Sequence, residues 1–290
     1  MIYIILSIFC SVTVAVLLKL AKRYQISIIQ AVTFNYLTAL ILCFLFFKPD
    51  VKQVTSTTAP WSIYISLAVL LPAIFLFLAA SVKNLGIVKT DIAQRLSLFI
   101  PILAAYFIFK EDFDQLKFIG LGVGFAAIFL TFIRKSEKQA KQNKWIYPIM
   151  VFVGFGVIDV LFKQIALYKD LPYTTSLFTV FCLAFLVALI IIIAMVITGK
   201  TKIQLVNLLC GFILGLFNFG NILFYLKAHQ ALAKNPSTVF AAMNLGVIVV
   251  GSLIGILVFK EKLSKLNYVG ITLAIAAVIL ITLSQQNAVR

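Results

Sequence analysis

A chain of 290 residues that is 63% hydrophobic and 12% charged, with a mean hydropathy of +1.11, is not built for water, since a soluble domain has about a quarter of its residues charged. The formal net charge of +16 does not point to nucleic acid. The basic residues collect in short connections between apolar runs, as in Arg134, Lys135, Lys138, Lys141 and Lys144, where they act as topology signals beside anionic lipid.

Taken in chain order, the apolar runs predict ten spans near 2–20, 26–47, 61–82, 86–109, 116–133, 145–167, 174–197, 203–226, 236–259 and 266–284. Each is long enough to cross a hydrocarbon core as a helix that satisfies its own backbone hydrogen bonds. The first run is apolar from Ile2, without a basic leader region or an A-x-A site, so it is read as a retained span. The longest connection, Arg134 to Lys144, is the natural midpoint. It separates a first five-helix repeat, residues 1–139, from a second, residues 140–290.

The duplication is written in the residues. Phe109-Lys110-Glu111 returns 150 positions later as Phe259-Lys260-Glu261, followed in register by Leu116 and Leu266, Gly120 and Gly270, Ala126 and Ala276, Ala127 and Ala277, and Leu130 and Leu280. At an offset of 144, Ile2, Tyr3, Val16, Leu17, Lys19 and Tyr24 match Ile146, Tyr147, Val160, Leu161, Lys163 and Tyr168. An odd number of spans per unit makes the second copy enter the membrane upside down. The expected fold is therefore an all-α integral membrane protein of ten transmembrane helices in two inverted five-helix repeats, an architecture suited to alternating access.

Pro101, Lys110-Glu111 and Gly120, closing the first unit, together with Phe155-Gly156 and Lys163 opening the second, resemble the signature of the drug/metabolite transporter superfamily in its ten-span EamA-like branch. Ser11-Val12 stands where the family's W-G would fall, Asn35 where an arginine often does, and Gly251 in place of the proline matching Pro101. No substrate is carried over. The resemblance implies cytoplasmic termini, whereas the more basic connections follow the odd-numbered spans and give the opposite sidedness by the positive-inside rule.

A charge at mid-membrane costs about 2.5–3.5 kcal/mol even on the lenient insertion scale, so each needs a partner or a wet cavity. In the sixth span Asp159 and Lys163 are four residues apart, on one helical face and within reach of each other. In the fourth, Asp91, Gln94 and Arg95 form a similar cluster. The functional reading makes these groups the lining of a solute cavity, with a carboxylate for a proton or an amine and a cation for an anionic group; the bland reading is a neutralised structural pair. Lys19, the repeat mate of Lys163, lies near a span end, where snorkelling is an equal explanation.

Asn218, Asn221 and Tyr225 make one polar stripe on the eighth span, and Asn244 in the ninth is the repeat mate of Gln94. Amides both donate and accept, which suits a polar solute, although interhelical glue is an even alternative. Asn35-Tyr36 in the second span ranks below these. Pro72 and Pro101 should bend their helices, Asn235-Pro236 reads as an N-cap with proline at the first helical position, and three GxxxG pairs (Gly120/Gly124, Gly211/Gly215, Gly251/Gly255) should pack helices closely. Glu111 and Glu261 fall in short surface connections, where capping a helix or pairing with a lysine suffices.

The expected activity is secondary transport of a small metabolite or amphiphilic solute, driven by protons or by exchange. Membrane lipid and the solute are the partners, nucleic acid is not, and there is room for a homodimer. The expected location is a plasma membrane of bacterial type, crossed many times. There is no P-loop, and no cofactor is expected. Cys10, Cys43, Cys182 and Cys210 stand singly without a ligand cluster, so no metal is expected either. The rivals are an intramembrane enzyme, a lipid-linked flippase and a channel. Against the enzyme, the one histidine is His229 and no H-E-x-x-H or G-x-S-x-G motif occurs.

Overall fold

The computed structural model describes residues 1–24, 26–49, 59–85, 87–132, 146–199, 201–258, 260 and 264–287, without the side chains of 19, 21–23, 83, 85, 87–89, 91–92, 131–132 and 285–287. The basic midpoint stretch, Phe259, Glu261 and the side chains of Lys19 and Asp91 thus lie outside the described residues.

Among the described residues the chain is helical, with no strand. In order the helices are α1 (Ile2–Arg23), α2 (Ile28–Phe47), α3 (Trp61–Leu85), α4 (Ile87–Leu96), α5 (Phe99–Phe107), α6 (Gln115–Phe132), α7 (Ile146–Leu167), α8 (Tyr173–Ile197), α9 (Leu205–Ala231), α10 (Pro236–Leu257) and α11 (Lys265–Asn287). Seven of them, α2, α3 and α7 to α11, are long and apolar enough to cross a membrane. Three shorter apolar stretches, Ile2–Leu18, Ala93–Phe107 and Gln115–Leu130, fall where the first, fourth and fifth spans were expected. Large apolar side chains such as Phe46, Ile190, Ile197 and Leu209 stand exposed on the outside, a surface that lipid tails solvate as readily as a protein core would.

The fourth span is the main departure. It is expected as one helix over 86–109, but breaks at Ser97-Leu98 into α4 and α5. Proline at 101 has no N–H to offer the Ser97 carbonyl. That carbonyl instead accepts from the Ile100 N–H at 3.0 Å, the Arg95 carbonyl accepts from the Leu98 N–H at 3.3 Å, and the Ser97 hydroxyl donates to the Gln94 carbonyl at 2.6 Å. These tight three-residue bonds absorb the break. Pro101 therefore lies in the first turn of a new helix, while Pro72 sits within a continuous α3.

Each half echoes the other. Lys110 and Lys260 both adopt the left-handed backbone conformation, at φ 52° and 53°. Four residues past each lysine comes a helix cap: the Asp114 carboxylate accepts from the Lys117 N–H at 2.9 Å, and Ser264 and Asn267 cap α11 reciprocally. Helices at matching places in the two halves pack on each other, α6 against α11 and α2 against α8.

Two of the three GxxxG pairs make close approaches. A Cβ at Gly211 would lie 2.6 Å from the Ala31 carbonyl oxygen, and one at Gly215 would lie 2.7 Å from that of Asn35. The backbones of α2 and α9 thus touch where no side chain fits. A Cβ at Gly120 would lie 2.7 Å from Ile281 Cγ1, which seats α11 on α6. In the third pair Gly251 departs from expectation, because nothing lies within 4 Å of a Cβ there.

Candidate solute cavity

A cavity of about 150 Å³ lies inside the bundle, room for on the order of ten water molecules or a small solute at about 10–15 Å³ per water. Ser11 reaches it from α1, Tyr36 from α2, and Leu71, Ile74 and Phe75 from α3. Gln94 and Arg95 come from α4, and Ser97 from the helix break. The second half supplies Phe155, Ile158, Asp159 and Phe162 from α7, Asn218, Asn221, Ile222 and Tyr225 from α9, and Met243, Asn244 and Val247 from α10. The wall is thus shared by both halves, while α6 and α11 pair away from it.

Six of the polar residues singled out in the sequence meet here with Arg95: Gln94, Asp159, Asn218, Asn221, Tyr225 and Asn244. The Tyr225 hydroxyl donates to Asp159 Oδ1 at 2.9 Å. The Ser7 hydroxyl contacts Asn221 Oδ1 at 2.8 Å and its carbonyl at 3.0 Å, tying α1 to α9. Asn244 Nδ2 turns back to the Phe240 carbonyl one helical turn earlier, at 3.1 Å. Arg95 has an interaction partner of its own within the protein.

Lys163 behaves otherwise. The expected pairing with Asp159 does not form: the fully buried ammonium donates to the Ala233 carbonyl at 3.0 Å and the His229 carbonyl at 3.4 Å, and lies 5.9 Å from the Phe109 ring centre. Those carbonyls belong to the end of α9, where helical carbonyls lack partners within the helix and the dipole attracts a cation. Asp159 therefore faces the cavity with tyrosine, and Lys163 closes a helix end one turn away.

A second cluster lies at that same end of the bundle. Glu111 is 4% exposed and Lys117 is 2% exposed, and their charges meet at 2.8 Å. Glu111 also accepts from the Ser237 hydroxyl at 2.7 Å and from the Ser237 N–H at 2.8 Å. Lys117 Nζ donates as well to the Asp112 carbonyl and to Asn235 Oδ1, both at 3.3 Å. The expected Asn235 side-chain cap on α10 is not made; the first turn of α10 is capped from a distance by Glu111, a carboxylate at the positive end of the helix dipole. The start of α1 and the last turns of α11 lie at this end too, since Lys227 lies over the Tyr3 ring and the Ser284 hydroxyl donates to Asp114 at 2.5 Å.

Reading the sequence missed Ser11, Ser97 and the aromatic wall of Phe75, Phe155 and Phe162. It also ranked Tyr36 low and set His229 aside. His229 is fully buried, its ring 4.6 Å from that of Tyr225 and 4.7 Å from that of Phe240. Spacing along α9 (Asn221, Tyr225, His229, four residues apart) was the available signal.

The sequence profile of the EamA-like transporter family matches this chain twice, over residues 1–133 and 142–283. A Haemophilus influenzae protein of uncharacterised function is 41% identical over 282 residues, covering 95% of each chain. A solved crystal structure superposes with a TM-score of 0.73 over 99% of this chain and 97% of its own, at 15% identity, and so shares the fold. Two profile matches that together span nearly the whole chain place it in a family of multi-pass membrane transporters: the protein belongs to the EamA-like transporter family.

Proposed function

We propose that this protein is a secondary transporter that carries a small polar solute across a bacterial plasma membrane by alternating access of two inverted five-helix halves. The observation that carries the proposal is the cavity wall: polar groups from α1, α2 and α4 of one half and from α7, α9 and α10 of the other converge on one cavity in an otherwise apolar bundle. Intramembrane polar groups are costly unless a cavity or a partner receives them, and transporters built from repeats place their sites where the repeats meet. The seven long spans and the three shorter apolar helical stretches together make up the ten crossings of this reading. The Haemophilus influenzae relative supports a bacterial inner membrane.

Asp159, held by Tyr225 on the cavity wall, is the proposed coupling group. Its carboxylate takes up a proton or an ammonium and so links occupancy of the cavity to the driving gradient. Gln94, Asn218, Asn221 and Asn244 supply polar contacts, Arg95 a fixed positive charge, and Lys163 holds the end of α9. Reconstitution in sealed vesicles tests the proposal: a panel of amino acids, sugars, nucleosides and lipophilic cations should reveal saturable flux with counterflow. Asp159→Asn should abolish proton-driven accumulation and spare exchange. Unchanged accumulation in that variant removes Asp159 from coupling, and the absence of counterflow for every solute class removes the carrier reading.

A further inference from the structure

A second hollow lies between α5 and α7, on the opposite side of α7 from the solute cavity. It is a groove of about 390 Å³ lined by apolar side chains alone, among them Ile100, Leu103 and Phe107 of α5 and Val157, Val160 and Leu161 of α7. None of these residues lines the central cavity. Leu103 and Phe107 are exposed on the outside of the bundle, so the groove opens toward lipid.

Its shape follows from how the two helices meet. A Cβ on Gly156 would lie 2.6 Å from Ile100 Cβ, a close approach that pins α5 to α7 at the inner end of the groove. Seven residues further along α7, the Lys163 ammonium lies 5.9 Å from the ring centre of Phe109, so the two helices run side by side in the same direction. At 1.5 Å per residue the stretch from Ile100 to Ile108 covers about 12 Å. That is most of the roughly 15 Å of hydrocarbon in one leaflet, half of a core about 30 Å thick.

The outer end of the groove is basic. Lys163 lies against Phe109 and donates to the Ala233 carbonyl at 3.0 Å, and the residues that follow these two, Lys110 and Lys234, are both exposed. Of the acids in the same turn, Glu111 is engaged by Lys117 and Ser237, and Asp114 by Ser284 and the Lys117 N–H. Asp112 alone then stands against Lys110, Lys163 and Lys234, and the local balance is positive. Tyr106 is half exposed at this level, its ring 5.1 Å from that of Phe107 and 5.6 Å from that of Phe113. Amphipathic rings of this kind collect where the headgroups begin.

We propose that this groove binds one anionic phospholipid, with an acyl chain between α5 and α7 and the phosphoryl headgroup on Lys110 and Lys234. Lipid tails touch every outer face of a helix bundle and gain nothing from apolar contact as such. A concave groove of one leaflet's depth fixes where a tail lies, and the two lysines select a headgroup of net negative charge. The site is separate from the solute cavity and does not depend on the transport reading.

Native mass spectrometry of the full-length chain, released from detergent after delipidation, counts bound lipids and gives their affinities. The probes are phosphatidylglycerol and phosphatidylcholine with identical acyl chains. Wild type should hold one phosphatidylglycerol roughly 25-fold more tightly than phosphatidylcholine, about fivefold for each lysine at an anionic headgroup. Lys110→Gln and Lys234→Gln should each lose about fivefold for phosphatidylglycerol and leave phosphatidylcholine unchanged. Lys260→Gln, at the left-handed repeat mate of Lys110, should change neither. Leu103→Trp, which fills the groove, should weaken both lipids, while Leu257→Trp on the exposed face of α10 should weaken neither.

Equal affinity for the two lipids would overturn the proposal, as would equal losses in Lys110→Gln and Lys260→Gln or in the two tryptophan variants. A chain that is dimeric in the same spectra and becomes monomeric on Leu103→Trp would also overturn it, because the groove would then hold a second copy. If Leu103→Trp is not recovered folded, the comparison of Lys110→Gln and Lys234→Gln with Lys260→Gln decides the matter by itself.

Discussion

Replacing Glu111 by glutamine should destabilise the protein far more than a surface ion pair would suggest. The wild-type carboxylate accepts three bonds of 2.7 to 2.8 Å, from Lys117 Nζ, Ser237 Oγ and the Ser237 N–H, inside the protein. Glutamine keeps one acceptor oxygen but no charge, and strands the Lys117 ammonium on two neutral acceptors at 3.3 Å. Removing one partner of a buried pair costs about 3–5 kcal/mol, because the remaining charge stays desolvated.

Lys117→Met should cost less, since Glu111 then retains both Ser237 bonds. Once Lys117 is gone, Glu111→Gln loses only the charge assistance of those bonds, about 1–2 kcal/mol. The double-mutant cycle should therefore show a coupling of about 2–3 kcal/mol, with the double variant more stable than the sum of the single losses predicts. Equilibrium unfolding of the four proteins by sodium dodecyl sulfate titration in mixed micelles measures it. Additivity within about 0.5 kcal/mol, or a larger loss for Lys117→Met than for Glu111→Gln, would refute the reasoning.

Asp114 gives a pH signature. The Ser284 hydroxyl, followed by the Lys117 N–H and ammonium, holds its carboxyl below the usual carboxylate range. A lowered folded value means that the contribution is present above the ordinary carboxylate pKa of about 3.9 and fades as pH falls through the folded value. Asp114→Asn should keep the α6 cap and remove that acid-limb dependence, whereas Asp114→Ala should also cost about 1 kcal/mol for the lost cap. The exposure of Asp114 keeps the charge contribution itself within about 1 kcal/mol. Parallel acid-limb stability profiles of wild type and Asp114→Asn would contradict this. Gly215→Leu should cost at least about 1–3 kcal/mol, the usual range for overpacking, because its side chain would begin 2.7 Å from the Asn35 carbonyl oxygen. Gly251→Leu meets open space and should cost little. Equal losses in the two variants, measured by the same titration, would show that α2 and α9 do not touch as described.

Some of this was legible along the chain because its causes are local. Apolar run length is dictated by bilayer thickness, so helix positions could be read without knowing any contact. The break at Ser97-Leu98 has a local cause as well, the missing N–H of Pro101, yet sequence alone could not choose between a bent helix and two short ones. The destination of Lys163 was not legible at all. Asp159 lies four residues before it, an obvious partner, but the unpaired carbonyls at the end of α9 compete for the same ammonium and win. The α10 cap shows the same limit: Asn235 is the local candidate, and a carboxylate more than a hundred residues away takes the place.

By itself, then, the sequence determined a membrane-embedded, helical, duplicated chain and the polar residues that a membrane would not tolerate without a reason. Hydrophobic burial and backbone hydrogen bonding act over one helix at a time, and they leave their periodicity in the residues. Which polar groups share a cavity, which cap a helix end and which remain unpartnered depends on helix rotation and on the approach of α2 to α9. Those are properties of packed surfaces and carry no signature along a single strand of sequence, so only the tertiary structure could bring Tyr36 and Asn218 to one cavity wall and turn Lys163 away from Asp159.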